Sequence, residues 1–295
     1  MIAEIITSMR PYQWYKNLIL LVSIVFSLNI LNIDAWYTTI LAFIIFCGLS
    51  GSEYIINDII DINRDRVHPI KCKRPIAAGK LNKNSALIFT LILIIVCLIS
   101  SYLINVSFLL VSISYLLLIL SYSLFLKHFV IVDLIIISMG FVLRAVAGGV
   151  ALNIKISPWL IVCTLFIAMF LALGKRRYEL NSLGNNATTH RKNLGEYSNE
   201  IIDQMINITT SILIIAYSLY TFFVEAYIMM ITIPVIVYGL FRYIFLIQSK
   251  NYGGEPEMIF KDKGMILCIV LWILLIIGIL YINIISEIIE TGITS

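Results

Sequence analysis

The sequence predicts an all-α polytopic membrane protein with nine transmembrane helices. Three observations support this fold class: 60% of the 295 residues are hydrophobic, only 13% are charged, and the mean hydropathy is +0.98. The charged share is about half of that usual in soluble domains, and a soluble globule of this length could not bury so much apolar surface. Backbone groups in lipid must be satisfied within each segment, so we predict helical spans.

Nine apolar runs of about 20 residues, the length that a spanning helix needs, follow one another along the chain. They cover residues 18–34, 36–57, 84–105, 107–126, 130–152, 157–174, 205–225, 227–247 and 264–286. The first run has no small-residue cleavage site, which favours a retained span over a signal peptide. The five cysteines lie far apart, which indicates packing residues and neither a disulfide nor a zinc site. We expect residues 1–295 to form a single transmembrane domain.

The basic residues orient these spans. With a cytoplasmic N-terminus, the segments 58–83, 175–204 and 248–263 lie on the cytoplasmic side, and they contain most of the lysines and arginines. Lys155 is the one basic residue that falls clearly on the other side. This distribution follows the positive-inside rule. It predicts a multi-pass protein of the cytoplasmic membrane, with the C-terminus outside and active-site loops in these three segments facing the cytoplasm.

Four polar residues around the end of the second run form what we call the acidic cluster: Asn57, Asp58, Asp61 and Asp65. On a continuous helix the three aspartates share one face through steps of three and four residues. Such carboxylates repel one another and are costly at a membrane edge unless a cation neutralises them. Oxygen ligands suit Mg²⁺, which is commonly shared with substrate phosphates. The cluster therefore predicts a Mg²⁺ site for a diphosphate substrate, with an ordinary solvated helix end as the alternative.

A basic stretch follows the acidic cluster and includes Arg66, Lys73 and Arg74. Arginine binds phosphate oxygens in a bidentate manner, and lysine adds a compact charge. Acids that hold a metal beside bases that bind phosphate are typical of sites that handle diphosphates. A loop that serves only membrane orientation or contact with anionic lipid would account for the bases and leave the acids unexplained.

One arginine, Arg144, lies inside the fifth apolar run. A charge within a span is expensive and is usually functional or paired. Asp133 is too far along the same helix for an ordinary ion pair, whereas Glu53, one turn before Asn57, is a candidate partner. The sequence leaves open whether Arg144 forms a structural bridge or lines a cavity and binds substrate.

Two stretches resemble the UbiA superfamily of intramembrane prenyltransferases: Asn57-Asp58-x-x-Asp61-x-x-x-Asp65 and Arg74-Pro75-Ile76-Ala77-Ala78-Gly79. The resemblance covers nearly the whole chain. It implies nine transmembrane helices around a central cavity, with Mg²⁺ at two facing motifs that bind a diphosphate.

Four further stretches resemble one branch of that superfamily, the decaprenyl-phosphate phosphoribosyltransferases. They are Arg10-Pro11-Tyr12-Gln13-Trp14-Tyr15-Lys16-Asn17, Gly174-Lys175-Arg176-Arg177-Tyr178-Glu179-Leu180, Arg191-Lys192-Asn193-Leu194-Gly195-Glu196-Tyr197 and Gly253-Gly254-Glu255-Pro256-Glu257. Members that prenylate aromatic rings carry an acidic motif of DxxxD type where this chain has the second stretch. The branch implies phosphoribosyl pyrophosphate (PRPP) as the donor and a polyprenyl phosphate as the acceptor.

The resemblance also implies roles for individual residues. Asp58, Asp61, Lys175 and Glu179 are expected to be catalytic, and the acidic cluster is expected to bind Mg²⁺. The expected substrate-binding residues are polar or cationic: Gln13, Lys16, Arg66, Lys73, Arg74, Arg144, Arg176, Tyr178, Arg191, Lys192 and Tyr197. PRPP and the lipid acceptor bring several phosphates, and the basic residues that replace the acidic motif would supply matching cations. The expected surroundings are membrane lipid with no nucleic-acid partner, and a homo-oligomer is left open.

Two other functions stay open at this stage. A prenyltransferase that moves an isoprenyl group from its diphosphate to a small aromatic acceptor would share the acidic cluster, but the basic stretch at 174–180 speaks against it. A lipid-phosphate or ion transporter with a regulatory Mg²⁺ site would need gates on both faces of the membrane, and the outer connections are short.

Overall fold

The computed structural model describes residues 1–183, 196–223, 227–249 and 261–293, and the regular elements within them are all helices. The α-helices are α1 (Ile2–Ser8), α2 (Val22–Phe26), α3 (Ile33–Ile60), α4 (Ile62–Val67), α5 (Lys83–Ile104), α6 (Val106–Leu124), α7 (Val132–Ala151), α8 (Pro158–Leu183), α9 (Asn199–Phe223), α10 (Ile233–Ser249) and α11 (Lys263–Ile293). The 3-10 helices cover Pro11–Leu21, Lys71–Lys73, Leu126–His128 and Tyr227–Thr232. The predicted all-α class is confirmed.

The described part of the chain has eight helices that are long and apolar enough to cross a membrane. They cover Ile33–Ile60, Lys83–Ile104, Val106–Leu124, Val132–Ala151, Pro158–Asn181, Asn199–Phe223, Ile228–Ser249 and Lys263–Ile282. The protein is therefore a multi-pass membrane protein, and the predicted count of nine spans is not confirmed.

The difference in count comes from the first apolar run, 18–34, which does not form one long helix. The chain is a 3-10 helix as far as Leu21 and an α-helix from Val22 to Phe26, and it then turns at Leu28, which has a positive φ of 61°. The Asn29 side chain donates to the carbonyl and the hydroxyl of the nearby Ser27, both at 2.9 Å. Such local side-chain bonds compete with helix formation, which hydropathy alone does not register.

Asparagine caps define where three of the long helices begin. Asn32, Asn82 and Asn105 each accept a backbone N–H from the first turn of α3, α5 and α6, at 3.0, 2.8 and 2.7 Å. The first N–H groups of a helix have no partner within the helix, and a side-chain oxygen at this position satisfies one of them. These caps fix the starts of the three helices.

The chain divides into two compact units. The first comprises Met1–Lys127 and Met139–Ile156. In this unit α3 packs against α5, α6 and the N-terminal 3-10 helix. Phe46 is fully buried, and its ring centroid lies 5.8 Å from that of Phe108 and 5.1 Å from that of Tyr115. This aromatic core holds the long helix that carries the first two residues of the acidic cluster.

The second unit comprises His128–Ser138 and Ser157–Ser295. Helices α8 and α9 pack along each other, and α10 contacts α8, α9 and α11. The ring of Tyr243 in α10 lies 4.9 Å from that of Phe170 in α8. Gly174 lies directly against the Tyr243 hydroxyl, where any larger residue would overlap it. The single domain expected from the sequence stays a prediction.

Gly148 provides a test of packing in the first unit. Its backbone lies against the Leu20 carbonyl, and a Cβ there would also lie 2.7 Å from the Ser23 hydroxyl oxygen. We expect Gly148→Ala to destabilise the protein by about 1–3 kcal/mol, because overpacking forces the backbone apart. Thermal unfolding of the detergent-solubilised protein measures the effect.

The matched control is Gly278→Ala, because a Cβ at Gly278 would meet nothing within 4 Å. An added methyl group in an open helical position should leave stability unchanged or raise it slightly. Equal unfolding temperatures for the two variants would contradict the close approach at Gly148.

Candidate active site

The acidic cluster lies where one helix ends and another begins. Helix α3 ends at Ile60, Asp61 has φ −90° and ψ 9°, and α4 starts at Ile62. The spacing predicted that the three aspartates share one face of a continuous helix. They do not, because the helix is interrupted at Asp61. Asp58 and Asp65 are buried, whereas the Asp61 side chain is 19% exposed.

One guanidinium joins the two buried aspartates. The Arg74 Nη1 atom donates to Asp58 Oδ1 at 3.1 Å and to Asp65 Oδ2 at 2.6 Å. Arg74 follows the 3-10 helix Lys71–Lys73 and is in an extended conformation, which turns its side chain back toward the helix ends. The predicted phosphate ligand Arg74 is thus an ion-pair partner of the acidic cluster.

A second arginine reaches Asp58 from the N-terminal segment. Arg10 Nη2 donates to Asp58 Oδ1 at 2.5 Å, and its guanidinium lies 4.8 Å from the centroid of the Tyr54 ring. Its backbone is left-handed, with φ 52°, at the turn between α1 and the 3-10 helix that begins at Pro11. This cation–π contact and the ion pair fix the turn against α3.

Asp61 has a partner of its own. Lys127 Nζ donates to both carboxylate oxygens of Asp61, at 3.0 and 2.8 Å, from the 3-10 helix that follows α6. Arg64 Nη1 lies 4.0 Å from the same carboxylate and is 69% exposed. A lysine 66 residues away in the sequence therefore balances the predicted catalytic carboxylate.

The donor set at Asp58 and Asp65 fits a magnesium site of the kind that is completed by substrate. Both carboxylates converge on a single cationic nitrogen, and Mg²⁺ is commonly bound by one or two carboxylates together with phosphate and water oxygens. In the part of the chain that the structure describes, no three His, Cys, Asp or Glu side chains are grouped for a metal. These two carboxylates are the candidate protein ligands, and Asn57, which precedes Asp58 in the sequence, is half-buried.

Of four further predicted substrate ligands of the first unit, two are exposed and two are half-buried. Arg66 and Lys73 are exposed. Gln13 and Lys16 are half-buried in the N-terminal 3-10 helix, where Lys16 Nζ donates to Gln13 Oε1 at 2.9 Å.

Arg144 forms a buried polar bridge inside the first unit. Its Nε donates to Asn17 Oδ1 at 2.7 Å, and its Nη2 donates to the Tyr115 hydroxyl at 2.6 Å. Its Nη1 donates to the Gly140 carbonyl at 3.0 Å. Glu53, the candidate partner, lies one step further, 3.4 Å from the Tyr115 hydroxyl. These contacts, at an exposure of 6%, favour the structural bridge over the substrate ligand.

In the second unit, Arg176 is buried between two carboxylates. Its Nη2 donates to Asp133 Oδ2 at 2.9 Å and its Nη1 donates to Glu179 Oε2 at 2.7 Å. The Arg176 and Asp133 side chains are only 3% and 0% exposed. Asp133, which is too distant for Arg144, is therefore the partner of an arginine on α8.

The next arginine in the stretch 174–180 is also paired. Arg177 donates to both oxygens of Asp203 on α9, at 2.6 and 3.2 Å, and to the Ile247 carbonyl at 3.2 Å. Two of the three cations in the stretch 174–180, Arg176 and Arg177, are thus engaged with acids. Lys175, the third, is exposed, and Tyr178 is half-buried near it on α8.

Tyr197 is a buried anchor of the second unit. Its hydroxyl oxygen accepts the backbone N–H of Ile131 at 2.8 Å, at a position where the chain has a positive φ of 68°. Burial raises the pKa of Tyr197, and the nearby Asp133 carboxylate acts in the same direction. Arg191 and Lys192, like the stretch 253–257, lie outside the described residues.

The ion-pair partners of the predicted site residues were the part that sequence reasoning missed. Arg10 and Lys127 contact the acidic cluster, and Asp133 and Asp203 hold the arginines of α8. Arg10 stands in a motif already noted, and an aspartate such as Asp133 within an apolar run is itself a signal. No spacing rule links Lys127 to Asp61.

The fold and the acidic cluster define the class: a multi-pass helical membrane protein with ion-paired aspartates at the end of a spanning helix. The sequence profile of the UbiA prenyltransferase family matches residues 18–269. Because this match covers most of the chain, the chain belongs to the UbiA prenyltransferase family.

Individual relatives and solved structures agree with this assignment. The chain is 30% identical over 290 residues to the decaprenyl-phosphate phosphoribosyltransferase of Mycolicibacterium smegmatis, covering 92% of this chain and 91% of the relative. The protein of the same name from Corynebacterium glutamicum is 28% identical, covering 94% and 86% of the two chains. A UbiA homologue from Archaeoglobus fulgidus, solved with GPP and Mg²⁺, has the same fold, with a TM-score of 0.72 at 17% identity over 92% of this chain and 96% of that one.

The buried pair of Asp133 and Arg176 gives a prediction for stability. We expect Asp133→Asn to destabilise the protein by about 3–5 kcal/mol, because it leaves a buried arginine charge with one partner fewer. The matched variant Asp203→Asn removes a carboxylate that is 30% exposed, so it should cost about 1 kcal/mol or less. Thermal unfolding in detergent compares the two variants, and an equal loss would show that burial does not set the strength of these pairs.

Proposed function

We propose that the protein transfers 5-phosphoribose from PRPP to a polyprenyl phosphate of the decaprenyl-phosphate type, releasing pyrophosphate, to make a pentose donor for the cell envelope. The observation that carries this proposal is the likeness, over 92% of the chain, to relatives named decaprenyl-phosphate phosphoribosyltransferase. The basic stretch at 174–180 supports the same branch, because ring-prenylating members carry an acidic motif there.

Asp58 and Asp65 would hold Mg²⁺ in this reaction, with Asn57 and Asp61 beside them. When bound, the ion neutralises charge that develops on the pyrophosphate leaving group. The convergence of the two buried carboxylates on one cation supports this role, and so does the Mg²⁺ bound to the Archaeoglobus fulgidus homologue. Lys127 orients the Asp61 carboxylate through their ion pair.

The transfer itself requires little proton chemistry. An anionic oxygen of the lipid phosphate attacks C1 of the ribose and forms the new C1–O bond. The C1–O bond to pyrophosphate breaks, and its electron pair leaves with the pyrophosphate. Because the nucleophile is already charged, no strong general base is needed. The protein contributes by positioning the reactants and by stabilising charge.

The exposed cations are our candidates for phosphate contacts. In the first unit these are Arg66 and Lys73, beside the half-buried Arg74. In the second unit Lys175 is the exposed cation, with Arg191 and Lys192 proposed on the sequence motif alone.

Two residues of the second unit, one with a carboxylate and one with a hydroxyl group, are our candidates for binding the sugar. Glu179 is 24% exposed and is held by Arg176, so we assign it to a ribose hydroxyl and assign its positioning to the arginine. Tyr178 is the proposed hydroxyl donor at this end, whereas the buried Tyr197 supports the turn at Ile131. In these assignments only solvent-accessible side chains contact the substrate.

Gln13 and Lys16 are the proposed site for the lipid phosphate. Their mutual hydrogen bond of 2.9 Å holds the amide and the ammonium side by side in the N-terminal 3-10 helix. The distribution of basic residues supports a cytoplasmic N-terminus and a cytoplasmic active site, where soluble PRPP is available.

A second candidate function is transfer of an isoprenyl group from its diphosphate to a small acceptor. The likeness in fold to a homologue solved with GPP favours this alternative. Both reactions use a metal-bound diphosphate as the leaving group, so the acidic cluster does not distinguish them.

Membranes that contain the protein should transfer label from ribose-labelled PRPP to the lipid fraction when a polyprenyl phosphate is added. A prenyltransferase would leave this label in the aqueous phase and would instead attach label from an isoprenyl diphosphate to its small acceptor. We expect labelled lipid to form only when the protein and both substrates are present. If no labelled lipid forms with all three present, the proposal is refuted.

Substitutions in the acidic cluster test the metal ligands. We expect Asp58→Asn and Asp61→Asn each to lower turnover at least about 100-fold, since each removes charge that stabilises the leaving group. Asp34→Asn is the control, because Asp34 is exposed in the first turn of the same helix. Initial rates of lipid labelling measure the effect. Near-normal rates in Asp58→Asn or Asp61→Asn would exclude that residue from the site.

Charge reversal at Lys175 tests the second unit. We expect Lys175→Glu to raise the KM for PRPP about tenfold, equivalent to about 1.4 kcal/mol of binding. Lys155→Glu makes the same charge change at an exposed residue predicted to lie on the other membrane face, and it should leave KM unchanged. If both variants bind PRPP as the wild type does, Lys175 has no phosphate role.

A further inference from the structure

Arg74 occupies a specific place in the acidic cluster. Its Nη1 atom lies within hydrogen-bond distance of both Asp58 and Asp65, at 3.1 and 2.6 Å, while Arg10 pairs with Asp58 and Lys127 pairs with Asp61. Asp58 and Asp65 are 2% and 4% exposed at their side chains. The arginine therefore bridges two buried carboxylates at oxygens that could also hold a divalent ion.

A divalent ion and this guanidinium cannot both occupy that point. Mg²⁺ requires oxygen ligands at about 2.0–2.1 Å, so the two oxygens would contact the ion directly. Two like charges separated by one carboxylate oxygen also repel strongly away from bulk water. An ion held by these same two oxygens, Asp58 Oδ1 and Asp65 Oδ2, would displace the Arg74 side chain from at least one of them.

The structure allows this displacement at Arg74 more readily than at Arg10. The Arg74 side chain is 23% exposed and the Arg10 side chain is 14% exposed. Arg10 is also held over the Tyr54 ring. The backbone after Arg74 is anchored by the buried Ile76, so movement would be confined to the side chain.

We propose that Arg74 is a built-in competitor that couples metal binding to diphosphate binding. With Arg74 on the carboxylates, a free divalent ion binds poorly. When the ion arrives with a diphosphate, the displaced guanidinium gains phosphate oxygens, to which it can bond in a bidentate manner. Metal and diphosphate then strengthen each other's binding, as thermodynamic linkage requires. This inference rests on the metal site of the proposed function.

The test is divalent-ion binding by the full-length protein in detergent, with Mn²⁺ as a spectroscopic probe in place of Mg²⁺. Electron paramagnetic resonance measures Mn²⁺ alone and the preformed Mn²⁺–pyrophosphate complex. In Arg74→Gln we expect Mn²⁺ alone to bind about tenfold more tightly and the complex to bind about tenfold more weakly, within the usual range of coupling between sites. A residue that only supported the carboxylates would weaken both.

The control variant is Arg64→Gln, which removes the same charge from the same segment. Arg64 is 69% exposed and lies 4.0 Å from Asp61, so screening by solvent should keep the change in Mn²⁺ affinity to less than about threefold. If Arg64→Gln changes the Mn²⁺ affinity as much as Arg74→Gln does, the loss of one positive charge alone explains the change and the inference is overturned.

Asp58→Asn separates this inference from the proposed function. Mn²⁺ binding by the wild type that is insensitive to Asp58→Asn would refute the metal site itself. If Asp58→Asn abolishes binding but Arg74→Gln leaves the affinity for Mn²⁺ alone unchanged or lower, the metal site stands and the competitor role fails.

Stability gives a second measurement if Arg74→Gln folds poorly. Without the arginine, Asp58 and Asp65 repel each other, so Mn²⁺ should raise the unfolding temperature of the variant by more than that of the wild type. An equal or smaller rise would count against the competitor role.

Discussion

The guanidinium of Arg74 holds Asp58 and Asp65 together, and the path of the chain around the acidic cluster depends on this pairing. Asp58 belongs to the end of α3 and Asp65 to α4, so the chain turns at Asp61 for both carboxylates to reach one nitrogen. A buried carboxylate left without its partner would be strongly destabilising. Charge therefore sets this turn, in addition to the apolar packing of the buried Ile76.

The same constraint organises the second unit with other residues. Arg176 lies between Asp133, at the start of α7, and Glu179, one turn further along α8. In the first unit the buried charge of Arg144 is instead stabilised by neutral hydrogen-bond acceptors, the Asn17 amide and the Tyr115 hydroxyl. In each case a charge in an apolar region is surrounded by hydrogen-bond partners, as desolvation demands. Such charges position helices, so a cation in a span is no proof of contact with substrate.

Much of the fold could be predicted from the sequence, because a helix that spans lipid must be apolar. The mean hydropathy of a stretch of about 20 residues shows this directly. The first run, which was predicted as one span, does not form one long helix. The local bonds at Asn29 and the left-handed Leu28 are not visible in hydropathy. At the site, the acidic cluster was found from its spacing. Its partner Lys127 was not, because a pair 66 residues apart is made by tertiary packing and leaves no periodic signal.

The charge balance of the acidic cluster explains why the proposed mechanism needs a divalent ion. Arg10, Arg74 and Lys127 match the carboxylates of Asp58, Asp65 and Asp61 one for one. A cluster neutralised in this way offers little net attraction to a diphosphate. Adding a doubly charged ion at the carboxylates creates an excess of positive charge and frees a guanidinium at the same time. Arg74 would then act on the substrate only after the metal has taken its place on the carboxylates of Asp58 and Asp65.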